Sequence, residues 1–372
     1  MLSTGRQDWG ILRSVVLQLA AESDFELTLL WAGTHALEGT EPDLVPGSNV
    51  RIDRIDWIGS DGPRIDPVEH AARALASVGR SLAEHESDAL MVVGDRFETA
   101  AAALAATLVN VPIVHLHGGE ETLGAIDNAM RHAITKLSHL HLVSHEDHRA
   151  RVIAMGEDPT TVRVVGAPGL DNGLRDDLPS RAELETILGL TLDPPVVIVT
   201  VHPTTLSTDP AREARLISQA MDKVPATYVI TLPNLDPGAS DVRQIMLEHG
   251  ELPRRVVVSA LGARAYWGLM KVADAMVGNS SSGLIEAPVV PLPVVNVGER
   301  QAGRPRSAGI IDVPSDLDSI TSALRTALSP RFRAQLDNPA VQPVALAVAT
   351  ALREWTPPQP PVKARIDVSR RS

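Results

Sequence analysis

Short apolar runs alternate with stretches of helical spacing along most of the chain. In the first half the apolar runs cover 25–31, 50–55, 89–93, 111–114, 139–143 and 162–165. Short, β-branched runs bounded by Gly or Pro predict buried strands of a parallel sheet. Helical periodicity marks the segments between them, such as the amphipathic segment 67–85. This alternation predicts a doubly wound α/β domain over residues 1–172.

A second series of the same kind begins after the Pro-containing break at 192–195. Its predicted strands are 196–201, 227–232, 255–259, 275–278 and 294–297, with helices such as 210–222 and 263–272 between them. We therefore predict a second Rossmann-like domain over 173–338. A terminal helix, 339–356, is expected to cross back to the first domain. The Pro-rich and basic segment 357–372 is expected to form a disordered tail.

Composition narrows the class of protein. The chain has 372 residues and a net charge of −12, so nucleic acid is not an expected partner. The absence of cysteine excludes disulfides, thiolate metal sites and a cysteine nucleophile. The sequence has no apolar run long enough to span a bilayer and no signal-peptide core in its first residues. We therefore expect a cytoplasmic enzyme without a membrane partner.

Charged and histidine side chains cluster after two neighbouring strands of the first domain. Asp95 and Arg96 follow one strand, and His117, Glu120 and Asp127 follow the next. Open α/β sheets bind ligands past the carboxyl ends of such strands. In composition a metal site is suggested by His115, His117, Glu120, Glu121 and Asp127, but their spacing matches no zinc motif. Carboxylates that act as general acid and base explain the same residues more simply, so we predict no metal.

Two further positions in the first domain are candidates. His132 lies on the helix that begins near Asp127 and is either a catalytic or phosphate-binding group or a buried structural histidine. Near the amino terminus, Gly5 and Arg6 form a turn before a helix predicted over 11–21. Such a turn offers free backbone N–H groups to an anion. The strand expected before this turn has almost no residues.

The second domain carries polar groups at the equivalent strand ends. A Ser-rich turn with Glu286 suits a phosphate and ribose hydroxyls, and the loop of Arg300 and Arg304 suits a diphosphate. The plainer alternatives are a Ser-capped helix for the Ser-rich turn and a solvated loop for Arg300 and Arg304. For two further strand-end residues they are a structural histidine at His202 and a turn cap at Asn234. The candidate binding residues of the chain are Arg6, Arg96, His202, Asn234, Ser280, Ser281, Ser282, Gly283, Glu286, Arg300 and Arg304.

Taken in order, these motifs resemble the hydrolysing UDP-N-acetylglucosamine 2-epimerase family of the bacterial sialic-acid pathway. The similar segments are 4–6, 94–98, 115–120, 124–127, 131–136, 278–288 and 296–304. The resemblance extends over nearly the whole chain and implies a GT-B fold, in which two Rossmann-like domains face a central cleft. It also implies a UDP-sugar or sugar phosphate as the small-molecule partner and no cofactor. We expect a homo-oligomer, a dimer or a tetramer.

The reaction that the resemblance implies has two halves. A base removes the C2 proton of UDP-N-acetylglucosamine while UDP leaves, and water then adds to the glycal to give N-acetylmannosamine. The predicted acid/base residues are Asp95, Glu120 and Asp127, with His202 beside the phosphates. The groups expected to stabilise the leaving diphosphate are Ser280, Ser281, Arg6 and Arg304.

His117 marks a division within the wider family. Non-hydrolysing relatives usually carry an acid there, in a His-x-Glu-Ala-Gly pattern, whereas the His-x-His-Gly-Gly-Glu pattern of this chain resembles the hydrolysing branch. If that acid is catalytic in the relatives, its role moves here to Glu120 or to His117. The short first strand and the short loop after His35 suggest a smaller substrate. Three alternatives therefore stay open: an epimerase of a free sugar phosphate such as fructose 6-phosphate, a GT-B glycosyltransferase, and a non-catalytic nucleotide-sugar sensor.

Overall fold

The computed structural model describes residues 1–58, 67–121, 127–204, 209–233, 239–259, 261–302, 304, 306–336 and 342–363. The chain divides into two units. Unit 1 comprises Met1–Asp171 and Pro343–Ser372, and unit 2 comprises Asn172–Gln342. Across the described ranges, no helix is long and apolar enough to cross a bilayer.

Strands and helices alternate through both units, and the described strand pairs are parallel. Strands β1 to β13 span Leu2–Ser3, Leu27–Ala32, Val50–Ile55, Leu90–Val93, Ile113–Leu116, Leu140–Val143, Val162–Val164, Val196–Thr200, Thr227–Thr231, Arg255–Val258, Ala275–Gly278, Val294–Val297 and Ile310–Val313. Helices α1 to α14 span Arg6–Ala20, Thr34–Glu38, Pro67–Glu84, Phe97–Leu108, Asp127–Leu137, Glu146–Ala154, Arg181–Leu188, Arg212–Lys223, Ala239–Gly250, Gly262–Val272, Ser282–Ile285, Leu317–Ala327, Pro330–Arg333 and Val344–Arg353.

Unit 1 contains two hydrogen-bonded sheets with shared cores. One sheet has the order β1-β2-β3 and the other β4-β5-β6-β7, and β1 lies beside β4. Successive residues of β4 face opposite sides: Met91 packs with residues of α1 and α14, whereas Val92 packs with residues of α3 and α4. Helices therefore cover both faces, as the doubly wound prediction requires.

Unit 2 has one six-stranded sheet with the order β10-β9-β8-β11-β12-β13. The chain direction across the sheet reverses between β8 and β11, which makes their carboxyl ends the topological switch point. Val197 and Val199 of β8 are fully buried and pack in one cluster with Ile217 of α8 and Ile320 of α12. This core is made of residues from unit 2 alone.

The edge of the unit 2 sheet was not predicted. Strand β13 pairs with β12, but its residues are only partly buried and one of them is Asp312, which accepts hydrogen bonds from Asn296 and Arg306. Asp312 interrupts the apolar residues of this short strand, so it lacks the continuous run on which the sequence interpretation relied. Because β13 was not predicted, the helix α12 that follows it was not predicted either.

The amino-terminal elements differ from the prediction in their bounds. Helix α1 begins at Arg6 rather than at residue 11, and Asp8 in its first turn accepts hydrogen bonds from the backbone N–H and hydroxyl of Thr4. These bonds hold Thr4 against the first turn of the helix. The spacing of apolar residues does not predict them. Strand β1 is short, as expected, and pairs with β2 through Leu2 opposite Leu30. The helix α2 occupies the start of the loop expected after His35, and residues 39–49 connect it to β3.

The chain returns to unit 1 at its carboxyl end. Helix α14 begins at Val344, whose backbone N–H donates to Asp171 Oδ1 at 2.8 Å, and Ala345 N donates to Asp171 Oδ2 at 2.8 Å. The prediction of a disordered tail is corrected for residues 357–363, because this segment contacts other residues of unit 1. Lys363 Nζ is 2.7 Å from Glu157 Oε2. The remainder of the expected tail, 364–372, lies outside the described residues.

Candidate active site

Three strands of unit 1 end at one edge of the sheet and place polar groups there. Asp95 follows β4, His117 follows β5 and Ser144 follows β6. Gly94 and His117 both adopt left-handed backbone conformations, with φ values of +76° and +64°. This conformation costs little for glycine but is uncommon for histidine. Strained backbone at a strand end often accompanies a functional site, so the turn at His117 is a first indication of one.

A buried arginine joins two of the predicted carboxylates. Arg131 projects from α5 and is 6% exposed. One of its terminal nitrogens donates to Asp95 Oδ2, and the other lies 3.5 Å from Glu120 Oε2. The guanidinium therefore compensates the charges of two carboxylates that come from separate loops.

Glu120 accepts from further donors. His117 Nδ1 lies 2.6 Å from Glu120 Oε1, and the Ser144 hydroxyl donates to the same oxygen at 2.9 Å. Burial acts to raise the pKa of Glu120, but His117, Arg131 and Ser144 outweigh it and hold the pKa well below its ordinary value. Glu120 is therefore an ionised acceptor at neutral pH.

His117 has one committed and one open ring nitrogen. Its Nδ1 faces the ionised Glu120, so this nitrogen carries the proton in the neutral ring. Its Nε2 is buried and has no hydrogen-bond partner among the residues that the structure describes. The ring is thus oriented by a carboxylate, and in its neutral form Nε2 is the nitrogen suited to accepting a proton.

Two other predicted residues of unit 1 form ion pairs of their own. Arg96 pairs with Glu98 at 2.6 Å, and the exposed Arg6 pairs with Glu38 at 2.9 Å. His132 is partly exposed, and its Nδ1 is a buried atom without a partner in the described part of the chain. Asp127 begins α5, but its side chain lies outside the described part of the structure.

The switch point of unit 2 is held together by Asn279. Its side-chain oxygen accepts from His202 N at 2.7 Å, and its side-chain nitrogen donates to His202 O at 2.9 Å. The carbonyl of Asn279 accepts from Gln301 Nε2 at 2.8 Å and from Arg300 at 3.1 Å. Gly278 allows this close approach, since a Cβ there would lie 1.9 Å from the Thr200 carbonyl oxygen. Loops after β8, β11 and β12 therefore meet at this buried amide.

Hydroxyl and carboxyl groups continue the unit 2 site along the Ser-rich turn. Ser282 donates to Glu286 Oε2 and lies 2.9 Å from the hydroxyl of Tyr266. Burial raises the pKa of Glu286, against the lowering effect of the Ser282 bond, and burial raises the pKa of Tyr266 to about 12. Ser280 is buried, and its Oγ accepts from Ser282 N at 3.3 Å.

The remaining predicted binding residues are less informative. Ser281 is partly exposed beside this turn, and Gly283 packs so closely on β12 that a Cβ would lie 2.8 Å from Val294 Cγ1. Arg304 follows the loop that carries Arg300 and donates its backbone N–H to Gln301 O at 3.4 Å. Asn234 lies outside the described residues. In the parts of the chain that the structure describes, no three His, Asp or Glu side chains are placed to hold a metal ion.

Several residues of these sites were missed from the sequence. The helical period placed Arg131 and His132 near Asp127, and the prediction retained His132, whereas Arg131 is the residue that joins the carboxylates. Its signal was the i, i+4 spacing from Asp127. The residues without a comparable signal are Ser144, Tyr266, Asn279 and Gln301.

Comparison with known proteins identifies one group of relatives. A family model described as UDP-N-acetylglucosamine 2-epimerase matches residues 17–344. The chain is 34% identical over 335 residues to the polysialic acid biosynthesis protein P7 of Escherichia coli, covering 88% of this chain and 85% of that one. It is also 34% identical over 332 residues to the hydrolysing UDP-N,N'-diacetylbacillosamine 2-epimerase of Legionella pneumophila, covering 87% of each.

A solved structure agrees in fold. The crystal structure of UDP-GlcNAc 2-epimerase from Neisseria meningitidis, bound to UDP-GlcNAc, is similar with a TM-score of 0.76 and 18% identity, covering 95% of this chain and 99% of that one. The predicted fold class, α/β with the GT-B fold, is thereby confirmed.

Proposed function

Because this chain belongs to the UDP-N-acetylglucosamine 2-epimerase family, we propose that it catalyses the hydrolysing 2-epimerisation of a UDP-linked N-acetyl sugar. The products are UDP and the free 2-epimer, which is N-acetylmannosamine when the substrate is UDP-N-acetylglucosamine. UDP-N,N'-diacetylbacillosamine, named for the Legionella relative, is a second candidate substrate of the same class.

One observation carries the proposal. Arg131 joins Asp95 and Glu120, and Glu120 in turn orients His117. This cluster lies at the carboxyl ends of parallel strands, where open α/β sheets bind their ligands. His117 Nε2 is buried and without a partner in the described residues, so it can accept a hydrogen bond or a proton from a ligand.

In the first half-reaction a base breaks the C2–H bond. The electron pair forms the C1=C2 double bond while the C1–O bond breaks and UDP leaves with its electrons. The proton acceptors available to this step are His117 Nε2 and the carboxylates of Asp95 and Asp127. Glu120 is a weaker choice of base, because an ionised carboxylate of depressed pKa holds a proton poorly.

The leaving diphosphate gains negative charge in this step. We assign its stabilisation to the switch-point groups of unit 2, where Arg300 and the Ser280–Ser282 hydroxyls surround the buried Asn279. Cations and hydroxyl donors fixed in place before the reaction stabilise such charge most effectively. Glu286, beside Ser282, is assigned to the ribose hydroxyls, and Arg6, Arg96, His202, Asn234 and Arg304 keep their proposed roles in substrate binding.

The second half-reaction adds water to the glycal. A protonated group delivers the proton to C2 on the face opposite the first abstraction, while the oxygen of water bonds to C1 and the water gives its proton to a base of the site. Two proton-transfer groups on opposite faces are therefore needed, and the cluster supplies His117 on one loop and Asp95 on another. Asp127 and His132 remain candidates for the same task.

The test uses the full chain with UDP-N-acetylglucosamine in D2O and follows the reaction by proton NMR. We expect UDP release together with a 2-epimer that carries deuterium at C2. A parallel reaction uses UDP-N,N'-diacetylbacillosamine to determine the N-acyl pattern. If neither sugar releases UDP, the proposal is wrong; release of the epimer still attached to UDP would indicate a non-hydrolysing epimerase instead.

Two variants make the same assay specific. Asp95→Asn should retain the fold and lose UDP release, because it keeps the shape of the side chain but not its charge beside Arg131. Asp88→Asn, at an exposed position near the start of β4, is the matched control and should behave as the wild type. The homo-oligomer and the cytoplasmic location stay predictions; light scattering of the purified chain measures the former.

A further inference from the structure

We propose that His115 is a positioning residue that fixes the Asp95 turn to helix α5, and so sets the geometry of Asp95 and Arg131. The inference rests on the proposed function for its kinetic consequence, but its structural part concerns residues that have no assigned role. His115 lies on β5, two residues before His117, and is completely buried.

Both ring nitrogens of His115 are used. Nε2 lies 2.8 Å from the carbonyl oxygen of Gly94, and Nδ1 lies 3.2 Å from Thr135 Oγ1. A carbonyl only accepts, so Nε2 carries the proton and Nδ1 accepts from the hydroxyl of Thr135. Burial lowers the pKa of His115 to about 3, despite the raising effect of the Gly94 bond. The ring is therefore neutral at physiological pH and takes no part in proton transfer.

The first of these bonds controls the Asp95 turn. Gly94 has a left-handed φ of +76°, and its N–H donates to Leu116 O at 3.1 Å while its carbonyl accepts from His115. Both backbone groups of Gly94 are thus bound by strand β5. The peptide that follows leads directly into Asp95, so the direction of the Asp95 side chain depends on this pair of bonds.

The second bond controls helix α5. Thr135 lies one helical turn after Arg131, on the same face of the helix. His115 therefore connects the strand end that carries Asp95 with the helix that carries its partner Arg131. A shift of either element would separate the two charged groups, since Arg131 reaches Asp95 across 36 positions of sequence.

The catalytic loop packs directly on this connection. A Cβ on Gly118 would lie 3.0 Å from His115 Nδ1 and 3.2 Å from Thr135 Oγ1. Gly118 stands between His117 and Glu120, so the loop that carries these two residues packs on the His115–Thr135 bond. One buried histidine thus supports all three parts of the cluster: the Asp95 turn, helix α5 and the His117 loop.

The test replaces Thr135, which removes the bond without deleting the ring. Thr135→Val keeps the shape and loses the hydroxyl, whereas Thr135→Ser keeps the hydroxyl. Thr107→Val is the control for the substitution itself, because the Thr107 hydroxyl donates at 3.0 Å to the Ala103 carbonyl of its own helix α4. We expect Thr135→Val to lower kcat for UDP release between about tenfold and a hundredfold, as small misplacements of reacting groups do. KM should stay close to wild type, and Thr135→Ser should restore kcat. Tm should fall, because the buried His115 Nδ1 loses its donor, so kcat is measured at a temperature where both proteins are folded.

A general structural role predicts a different result. In that case kcat of Thr135→Val falls no further than the loss of folded enzyme explains, and the positioning assignment is overturned. An unchanged kcat in Thr135→Val overturns it as well. His115→Phe removes both bonds. In the His115→Phe background Thr135→Val should therefore cause no further loss of kcat, because the bond that it would break is already absent.

A second measurement does not depend on turnover. Hydrogen exchange of the full chain should become faster in residues 94–98 and 131–135 of Thr135→Val, and not in Thr107→Val. If the wild type releases no UDP, the proposed function fails, yet this exchange experiment still decides whether His115 and Thr135 hold the Asp95 turn. Unchanged exchange at both segments would refute the positioning role.

Discussion

At the scale of single residues, the contrast between Glu120 and His117 has the clearest chemical consequence. Glu120 accepts from three side chains and stays ionised, whereas the His117 ring keeps one nitrogen open. In such a pair the carboxylate sets the tautomer and stabilises the protonated ring. In the proposed mechanism Glu120 therefore acts through His117 more than by its own proton transfer.

Replacing Glu120 tests this division of roles. Glu120→Gln should lower kcat by about 10²- to 10⁴-fold, because the amide neither stabilises a protonated His117 nor compensates Arg131. Steady-state UDP release measures the effect. Glu121→Gln is the control, since Glu121 is exposed and pairs with Arg151 at 3.2 Å. Equal activity in the two variants would remove Glu120 from the mechanism.

The sequence predicted part of this residue-level picture. Asp95, His117 and Glu120 follow strands as predicted, and the structure joins them in one cluster, while their catalytic roles stay predictions. Ser144 and Arg131 were not selected, because their contacts depend on the rotation of α5 and on the neighbouring position of β6. Periodicity predicts which face of a helix is buried but not which partner that face meets.

At the scale of elements, the terminal helix has an unusual cap. Helix α14 has Pro343 at its start and no cap from its own side chains, and Asp171 supplies the acceptors from 173 positions earlier. A carboxylate that accepts two N–H groups at a helix start also favours the positive end of the helix dipole. Local capping rules search only adjacent residues, so the sequence could not show this contact.

Removing the cap should destabilise unit 1. We expect Asp171→Ala to lower the free energy of unfolding by about 1–3 kcal/mol, because two buried N–H groups lose their acceptor. Urea unfolding measures the change, with the exposed Asp176→Ala as the control. A loss no larger than that of Asp176→Ala would show that other groups satisfy the helix start.

A charge cluster at Glu157 joins the carboxyl-terminal segment to β6 and α5. Glu157 is buried and lies within 2.7 Å of Lys136 and Lys363 and 3.2 Å from His141 Nε2. Burial acts to raise the pKa of Glu157, but the hydrogen bonds from these three residues outweigh it and lower the pKa from 4.5 to about 2. The cluster therefore depends on an ionised Glu157.

The lowered pKa makes a signed prediction for acid. In the unfolded chain Glu157 takes up a proton near its ordinary pKa of 4.5, but in the folded chain only near 2. The stability that it contributes is complete above the first value and is lost as the pH falls through the second. The difference in unfolding free energy between wild type and Glu157→Gln should therefore shrink from neutral pH to about pH 3. Exposed Glu248→Gln should show no such trend.

At the scale of the whole molecule, unit 2 has its own sheet and its own core. The residues of its proposed phosphate-binding site, Asn279, Ser282 and Arg300, all belong to unit 2. We therefore expect residues 172–342, expressed alone, to fold and to bind UDP. Calorimetry measures the binding, and Ser282→Ala in the same fragment should weaken it. A folded fragment that does not bind UDP would show that unit 1 is needed for nucleotide recognition.

The division into two α/β units followed the alternation of strands and helices, a pattern that repeats across most of the sequence. The pattern did not predict the contacts that the carboxyl-terminal segment makes in unit 1. Residues 357–363 looked like a solvated tail because of their prolines, yet Pro361 O lies 3.2 Å from His139 Nε2 and Lys363 Nζ is 3.2 Å from Thr135 O. Composition does not report specific contacts of that kind.

The return of α14 has a consequence for biosynthesis. A ribosome emits residues 1–171 first, but the face of unit 1 that includes Leu12 and Met91 is completed only when Val344 and Val348 emerge, after all of unit 2. Domains usually fold in the order of their synthesis. Here the nascent amino-terminal half must wait with an apolar face uncovered while the later half matures. That interval is when the chain most needs a chaperone.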